Sequence, residues 1–259
     1  MKRFTVWLLV MLLTLSAAGC ACAEPTGDGY PELVLEVDDA QQPTEVSEGA
    51  LAGVSIGIDP GHQAHGNFDF EAIAPGSSET KYKVSSGTDS VTTGKPEYEV
   101  VLEIGLQLRE ALQAQGCTVY MTREINEVDI SNQERAKMMN EYGVDLVLRL
   151  HCDGAESEGP HGITLYVNET GPIAQASYDA ADVLIEAMTQ ATGAKNRGVR
   201  QSDTYTGLNW SEVPCILVEM GFMSNPEEDV KLQSPDYQAL LVEGMVEGII
   251  RWSQTLPKE

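Results

Sequence analysis

From Val54 onward, apolar positions alternate between short continuous runs and helical spacing. Residues 54–58 predict a buried strand that stops at Asp59-Pro60-Gly61. Residues 97–115 predict a helix: Val100, Ile104, Leu108 and Ala111/Leu112 return on one face, and Gly116 ends it. Residues 117–122 predict the next strand. Ser131, with Glu134 three residues on, forms a capping-box pattern for a helix that runs to Tyr142 and stops at Gly143. Residues 145–150 predict a strand ending at His151, and residues 163–167 another. Residues 173–192 predict a long helix with Val183, Leu184, Ala187 and Met188 inward, stopped by Gly193. Residues 215–218 predict a strand ending at Glu219. A final helix over 237–252 carries Leu240, Leu241, Met245, Ile249 and Trp252. Strands alternating with helices imply an α/β fold: one domain with a mostly parallel central sheet and helices on both faces.

Two stretches lie outside this pattern. Residues 64–96 are rich in Gly, Ser, Thr and Pro and lack helical periodicity, which predicts a long functional loop. Residues 24–52 hold eight acids and no base, with prolines at 25, 31 and 43, which predicts an acidic linker. Ahead of it, Lys2 and Arg3, an apolar run over 6–15 and Ala21-Cys22-Ala23 form a signal-peptide pattern over 1–23. Ala17-Ala18-Gly19-Cys20 competes with it as a lipoprotein box, which would tether the chain through Cys20. The expected organisation is a signal over 1–23, a linker over 24–52, a catalytic domain over 53–254 and a tail over 255–259.

Composition narrows the partners. Forty acidic and 16 basic side chains among 259 residues leave a net charge of −24. Nucleic acid is excluded, because phosphate backbones are held by Lys/Arg patches and none is visible. An anionic membrane surface is disfavoured on the same ground. Cys117, Cys152 and Cys215 lie beyond the signal without CxxC spacing, and read as small buried hydrophobes.

Candidate chemistry gathers where strands end. His62 follows the first strand, His151 the strand over 145–150, and Glu219 the strand over 215–218. In open α/β sheets, ligand sites lie outside the carboxyl ends of strands. A catalytic zinc takes three protein ligands and leaves a position for water; Glu97, opening a helix, is a candidate third donor. Bland readings stand beside these. Either histidine can serve a turn or strand end, and Glu97, Glu99 and Glu103 all suit a helix beginning. His65 is a loop residue that could reach substrate, and His161 reads as an exposed turn residue. Asn209 and Trp210 fit a groove or a core, and Arg123 and Arg135 fit structural ion pairs.

Several short stretches occur in a telling order. They are Ile58-Asp59-Pro60-Gly61-His62, Glu97-Tyr98-Glu99-Val100-Val101-Leu102-Glu103-Ile104, Met121-Thr122-Arg123, Arg135-Ala136, Leu150-His151-Cys152-Asp153 and Val218-Glu219-Met220-Gly221-Phe222-Met223-Ser224-Asn225. Together they resemble the zinc-dependent N-acetylmuramoyl-L-alanine amidases of the amidase 3 family, over about residues 53–254. Gly61-His62-Gln63, Ile73-Ala74-Pro75-Gly76, Lys83-Val84-Ser85-Ser86-Gly87-Thr88 and Asn196-Arg197-Gly198-Val199 resemble a subgroup from clostridia-like bacteria. The resemblance implies Zn2+ held by His62, Glu97 and His151, with Glu219 as catalytic acid/base. It implies an exported hydrolase acting on peptidoglycan, cutting the amide between N-acetylmuramic acid and L-alanine. It places the chain in the cell wall or outside the cell, or on the outer face of the membrane if Cys20 is lipidated. The sequence departs from the family where Leu-His-Cys-Asp replaces Ile-His-Ala-Asn and where Arg149 replaces a frequent Ser. Two other readings are an inactive wall-binding or regulatory homologue and a zinc peptidase cutting another amide.

Overall fold

The computed structural model describes residues 49–256. The signal segment, the linker up to residue 48 and the last three residues of the tail lie outside them. The elements begin with β1 (Ser55–Pro60), then β2 (Asn67–Ala72) and β3 (Thr80–Val84), followed by α1 (Glu97–Ala114). Next come β4 (Thr118–Met121), α2 (Asn132–Tyr142), β5 (Leu146–Asp153) and β6 (Ile163–Val167). The chain continues through α3 (Ala174–Thr192), β7 (Asn196–Gln201) and α4 (Thr206–Asn209). It closes with β8 (Cys215–Phe222), α5 (Pro226–Leu232) and α6 (Pro235–Ser253).

Six strands form one sheet in the order β4-β1-β5-β8-β6-β7. The pairs β1/β4, β1/β5, β5/β8 and β6/β7 are parallel; β6 against β8 is antiparallel. The expected mostly parallel α/β sheet is therefore present. Side chains alternate between the faces of a strand. Ile56, Ile58, Leu146, Leu148, Leu150, Ile216 and Val218 face the main core, shared with α1, α3 and α6. Val147, Cys215 and Leu217 face the other way, toward Met139 of α2 and Leu208 of α4. This second cover is short, and the sheet beyond it carries polar side chains.

Those polar side chains extend two strands past their expected ends. β5 continues through His151 to Asp153, and β8 through Glu219 to Phe222. The physical reason is alternation: Cys152 and Met220 keep facing the core, so their polar neighbours need only the other face. In α2, Ser131 Oγ accepts the Glu134 N–H at 3.2 Å, and Glu134 Oε2 accepts the Ser131 N–H at 2.8 Å. The capping box is thus complete, and Gly143 ends the helix in the left-handed region.

Three expectations change. Residues 64–96 are not all loop: β2 and β3 pair as an antiparallel hairpin. Leu51, assigned to the linker, is fully buried, and its N–H donates to Gln115 O at 2.9 Å, so ordered packing starts before Gly53. Leu240 is exposed, and Gln238 points inward instead. Gln238 is tolerated there because it donates to Leu232 O at 2.9 Å and accepts from Gln107 Nε2 at 2.8 Å.

Helices α3 and α6 cross closely at Gly244 and Gly248. A Cβ on Gly244 would lie 2.6 Å from Met188 Cα, a backbone atom that cannot swing away. Gly244→Ala is expected to cost about 1–3 kcal/mol through overpacking. A lower urea midpoint checks this; an unchanged midpoint would mean that the helices separate freely.

Candidate metal site and cleft

Three elements bring His62, Glu97 and His151 together. His62 lies just past β1, Glu97 is the first residue of α1, and His151 belongs to β5. His62 Nε2 lies 3.2 Å from Glu97 Oε1 and 3.1 Å from His151 Nδ1, which is itself 3.1 Å from Glu97 Oε1. Among the described residues, these three form the group of possible metal ligands, with donor atoms within 4.8 Å of one another. Glu99 and Glu103 stay outside it, and Glu103 pairs with Lys95 at 2.6 Å.

The surroundings fix each donor. The His62 Nδ1–H donates to Ser85 O at 2.9 Å, which leaves a lone pair on Nε2 facing the cluster. Glu97 accepts from the Cys152 N–H on Oε1 at 3.0 Å and from the Thr88 N–H on Oε2 at 2.9 Å. Gly87 sits at φ +81°, and a Cβ there would come within 2.9 Å of Glu97 Oε2 and 3.0 Å of the His62 ring. Two ring nitrogens and a carboxylate oxygen converge on one point, where protons can bridge them or a metal ion can take their lone pairs. The donor set therefore fits a metal ion with three protein ligands.

His62 holds a left-handed backbone, φ +56°, the one such non-glycine residue among those described. Two buried arginines wrap this bend. Arg123 donates to Pro60 O at 2.9 Å, Gly61 O at 2.8 Å and Tyr98 O at 2.8 Å. Arg135 donates to Pro60 O at 2.8 Å, His62 O at 2.8 Å and Asp59 Oδ1 at 2.9 Å. Arg135 is the ion-pair partner expected; Arg123 instead serves backbone carbonyls, because no carboxylate reaches it.

Charge follows burial. Burial pushes the Glu97 carboxyl up, but the charge of His62 and hydrogen bonds from both histidines outweigh it and hold it well below the usual range. Burial lowers His62, yet the Glu97 carboxylate lifts it above its ordinary value. For His151, burial prevails and its pKa falls. Glu219 is pushed well above the usual carboxylate range, first by burial, then by the like charges of Glu97 and Asp153.

Glu219 is the register partner of His151 across β5/β8, and its Oε2 is buried without a hydrogen-bond partner. A cleft of about 510 Å3 is lined by His62, Glu97, His151 and Glu219, together with Arg149 and Tyr205. All four residues singled out by the sequence thus meet in one cleft. Asn209 and Trp210 do not line it: their side chains donate to Ile73 O at 3.1 Å and Ala72 O at 2.8 Å. His161 is exposed, as expected, and His65 lies outside the cleft. No motif marks Tyr205, and the stretches that contain Thr88 and Cys152 do not reveal that their amides hold Glu97.

The fold and the His-Glu-His cluster define an α/β protein with a site built to hold a metal ion beside a carboxylate. The N-acetylmuramoyl-L-alanine amidase family model matches residues 56–251. The N-acetylmuramoyl-L-alanine amidase Rv3717 of Mycobacterium tuberculosis is 31% identical over 211 residues, 77% of this chain and 86% of that protein. The probable cell wall amidase LytH of Staphylococcus aureus is 30% identical over 200 residues, 77% of this chain and 58% of that protein. The crystal structure of the amidase Ami1 from Mycobacterium smegmatis superposes with a TM-score of 0.74 at 24% identity, covering 80% of this chain and 99% of that one. The apo form of Ami1 from Mycobacterium abscessus gives 0.73 at 26%, covering 78% and 100%. The chain therefore belongs to the N-acetylmuramoyl-L-alanine amidase family, whose members are hydrolases.

Proposed function

We propose that this chain is an exported zinc hydrolase of peptidoglycan that cuts the amide between N-acetylmuramic acid and L-alanine of the stem peptide. The carrying observation is the convergence of His62 Nε2, Glu97 Oε1 and His151 Nδ1 beside the unpartnered Glu219 carboxylate. His62, Glu97 and His151 would hold Zn2+. When bound, zinc lowers the pKa of water toward about 7 and polarises a carbonyl oxygen.

The chain's own residues supply the rest. Glu219 takes the proton of the attacking water on its free oxygen and passes it to the leaving amine of L-alanine. In the metal-free chain burial and the like charges of Glu97 and Asp153 raise its proton affinity, which suits holding the proton until the amine leaves. The Cys152 and Thr88 amides hold Glu97 in place, so that its orientation survives substrate entry.

Export rests on the signal pattern over 1–23, with release after Ala23 or tethering through Cys20. Among the described residues, no helix is long and apolar enough to cross a membrane. The proposed organisation is a signal, an acidic linker and one catalytic domain whose packing begins before Gly53, at Leu51.

The test incubates the full chain with peptidoglycan and zinc, then looks for free stem peptides with new L-alanine amino termini. Chelation is expected to abolish release, and zinc to restore it. No release by folded, zinc-loaded protein would favour an inactive wall-binding homologue. Products cut elsewhere in the stem would favour a zinc peptidase.

A further inference from the structure

Hairpin β2/β3 presents an aromatic strip to solvent. Phe68 is 57% exposed, Phe70 65% and Tyr82 49%. Both phenyl rings pack on Tyr82, with centroids 5.3 and 5.1 Å away. Large apolar side chains gathered on a surface mark a contact site more often than chance. This group is held there. Glu71, next along β2, accepts the Gln133 N–H at 3.1 Å, and Asn132 Nδ2 donates to Lys83 O at 2.8 Å. The Lys81 ammonium donates to Thr204 O at 2.6 Å, and Trp210 holds Ala72 O. The hairpin is thus bonded to α2 and to the segment around α4, and its aromatic side remains free.

The strip joins two concavities. Tyr82 lines the cleft that holds the His-Glu-His cluster. Phe68 lines a second groove of about 500 Å3, bordered by His65, Asn67, Asp69 and Asp129. We propose that this strip, from Tyr82 through Phe68 into the second groove, binds the glycan strand of the substrate. This deepens the amidase reading and rests on it.

Sugar chemistry fits what borders the strip. A pyranose has an apolar C–H face that stacks on an aromatic ring and a rim of hydroxyls that seeks carboxylate and amide groups. Phe68 and Tyr82 offer the rings; the carboxylates of Asp69 and of Asp129, which already accepts from Asn67 and Gln63, offer further lone pairs at the rim. While its lactyl carboxyls are still held as amides, the sugar chain is uncharged and approaches a chain of net charge −24 without repulsion. A second copy fits less well. It carries the same charge, and three side chains fall far short of the roughly 800 Å2 per partner that a stable interface buries.

The experiment uses chains of β-1,4-linked N-acetylglucosamine, which offer the same sugar faces as the strand, carry no charge and hold no lactyl amide to hydrolyse. The full chain is expected to bind them, and Phe68→Ser/Phe70→Ser to bind at least about tenfold more weakly, since each aromatic contact is worth a few-fold or more. Both side chains are exposed, so cooperative thermal unfolding should persist in that variant. Val230→Ser, which removes an exposed apolar residue on α5, should bind like the parent. Three outcomes overturn the proposal: no sugar-chain binding by a parent that releases stem peptides, equal binding by parent and double variant, or a parent dimer that the double variant dissolves. Sugar-chain binding without stem-peptide release would instead sink the amidase reading and leave this one standing.

Discussion

Asp59→Ala is expected to lower stability by about 3–5 kcal/mol, because it strands two guanidinium groups in the interior. Asp59 is 0% exposed. Its Oδ1 accepts from Thr122 Oγ1 at 2.6 Å and Arg135 Nη1 at 2.9 Å. Arg149 Nη1 lies 2.7 Å from Oδ2, a charge contact without the alignment of a hydrogen bond. Burial opposes ionisation of this carboxyl, but Arg149, then Arg135 and the hydrogen bonds, hold its pKa far below the usual range. That sets the sign of the pH dependence. A group with a depressed folded pKa stabilises the fold fully above its unfolded value of about 3.9, and the gain is lost as pH falls toward the folded value. The gap between parent and variant should be flat from pH 5 to 8 and narrow below pH 4. Urea titrations at pH 7 and pH 3 check both parts. A variant within about 1 kcal/mol of the parent at pH 7 would show that the arginines find other partners. Since Arg135 also holds His62 O, metal affinity should fall with stability.

The same cluster shows where sequence reading stops. Arg149 is visible in the sequence as an oddity, standing where the family often has Ser. Its reason is spatial: it balances Asp59, donates to Asn132 Oδ1 at 2.8 Å, and occupies the room that a Cβ on Gly207 would fill. No local pattern joins positions 59, 132, 149 and 207. His62, Glu97, His151 and Glu219 were legible because each adjoins a hydrophobic run whose end is readable, and strand ends converge in an α/β sheet. The choice of Glu97 over Glu99 and Glu103 came from the family resemblance and not from the local pattern. That choice depends on the Thr88 and Cys152 amides, which only the folded chain brings to one carboxylate.

The helices with buried faces were read within a few residues, since 3.6-residue periodicity records burial. The hairpin was missed for the converse reason. Phe68 and Phe70 alternate with Asp69 and Glu71, but their ring faces meet solvent, so the pattern is short and records no core. β7 escaped similarly: its residues are charged or half-buried at the sheet edge. Periodicity fades where side chains meet solvent or the sheet edge rather than the core.

Glu219→Gln is expected to reduce turnover by about 10²–10⁴-fold while the protein still binds its metal. The amide keeps the size of the side chain and gives up the ability to take a proton. Metal stoichiometry should not change, because no Glu219 atom belongs to the three-atom cluster. His151→Ala, by contrast, should lose metal and turnover together. Glu219→Gln should also gain stability in metal-free protein. Burial, then Glu97 and Asp153, raise the Glu219 pKa well above its ordinary value. A raised folded pKa favours the fold while the group is protonated, and that advantage is lost as pH rises through the folded value. At high pH the parent therefore carries a buried carboxylate beside Glu97, and Glu219→Gln does not. Unfolding of the metal-free forms at pH 6 and pH 9 should show the variant pulling ahead as pH rises. Turnover retained above about a tenth of the parent would remove Glu219 from the proton transfer. Lost turnover with no gain in stability would mean that the carboxylate is solvated, so the proton affinity invoked for it is not there.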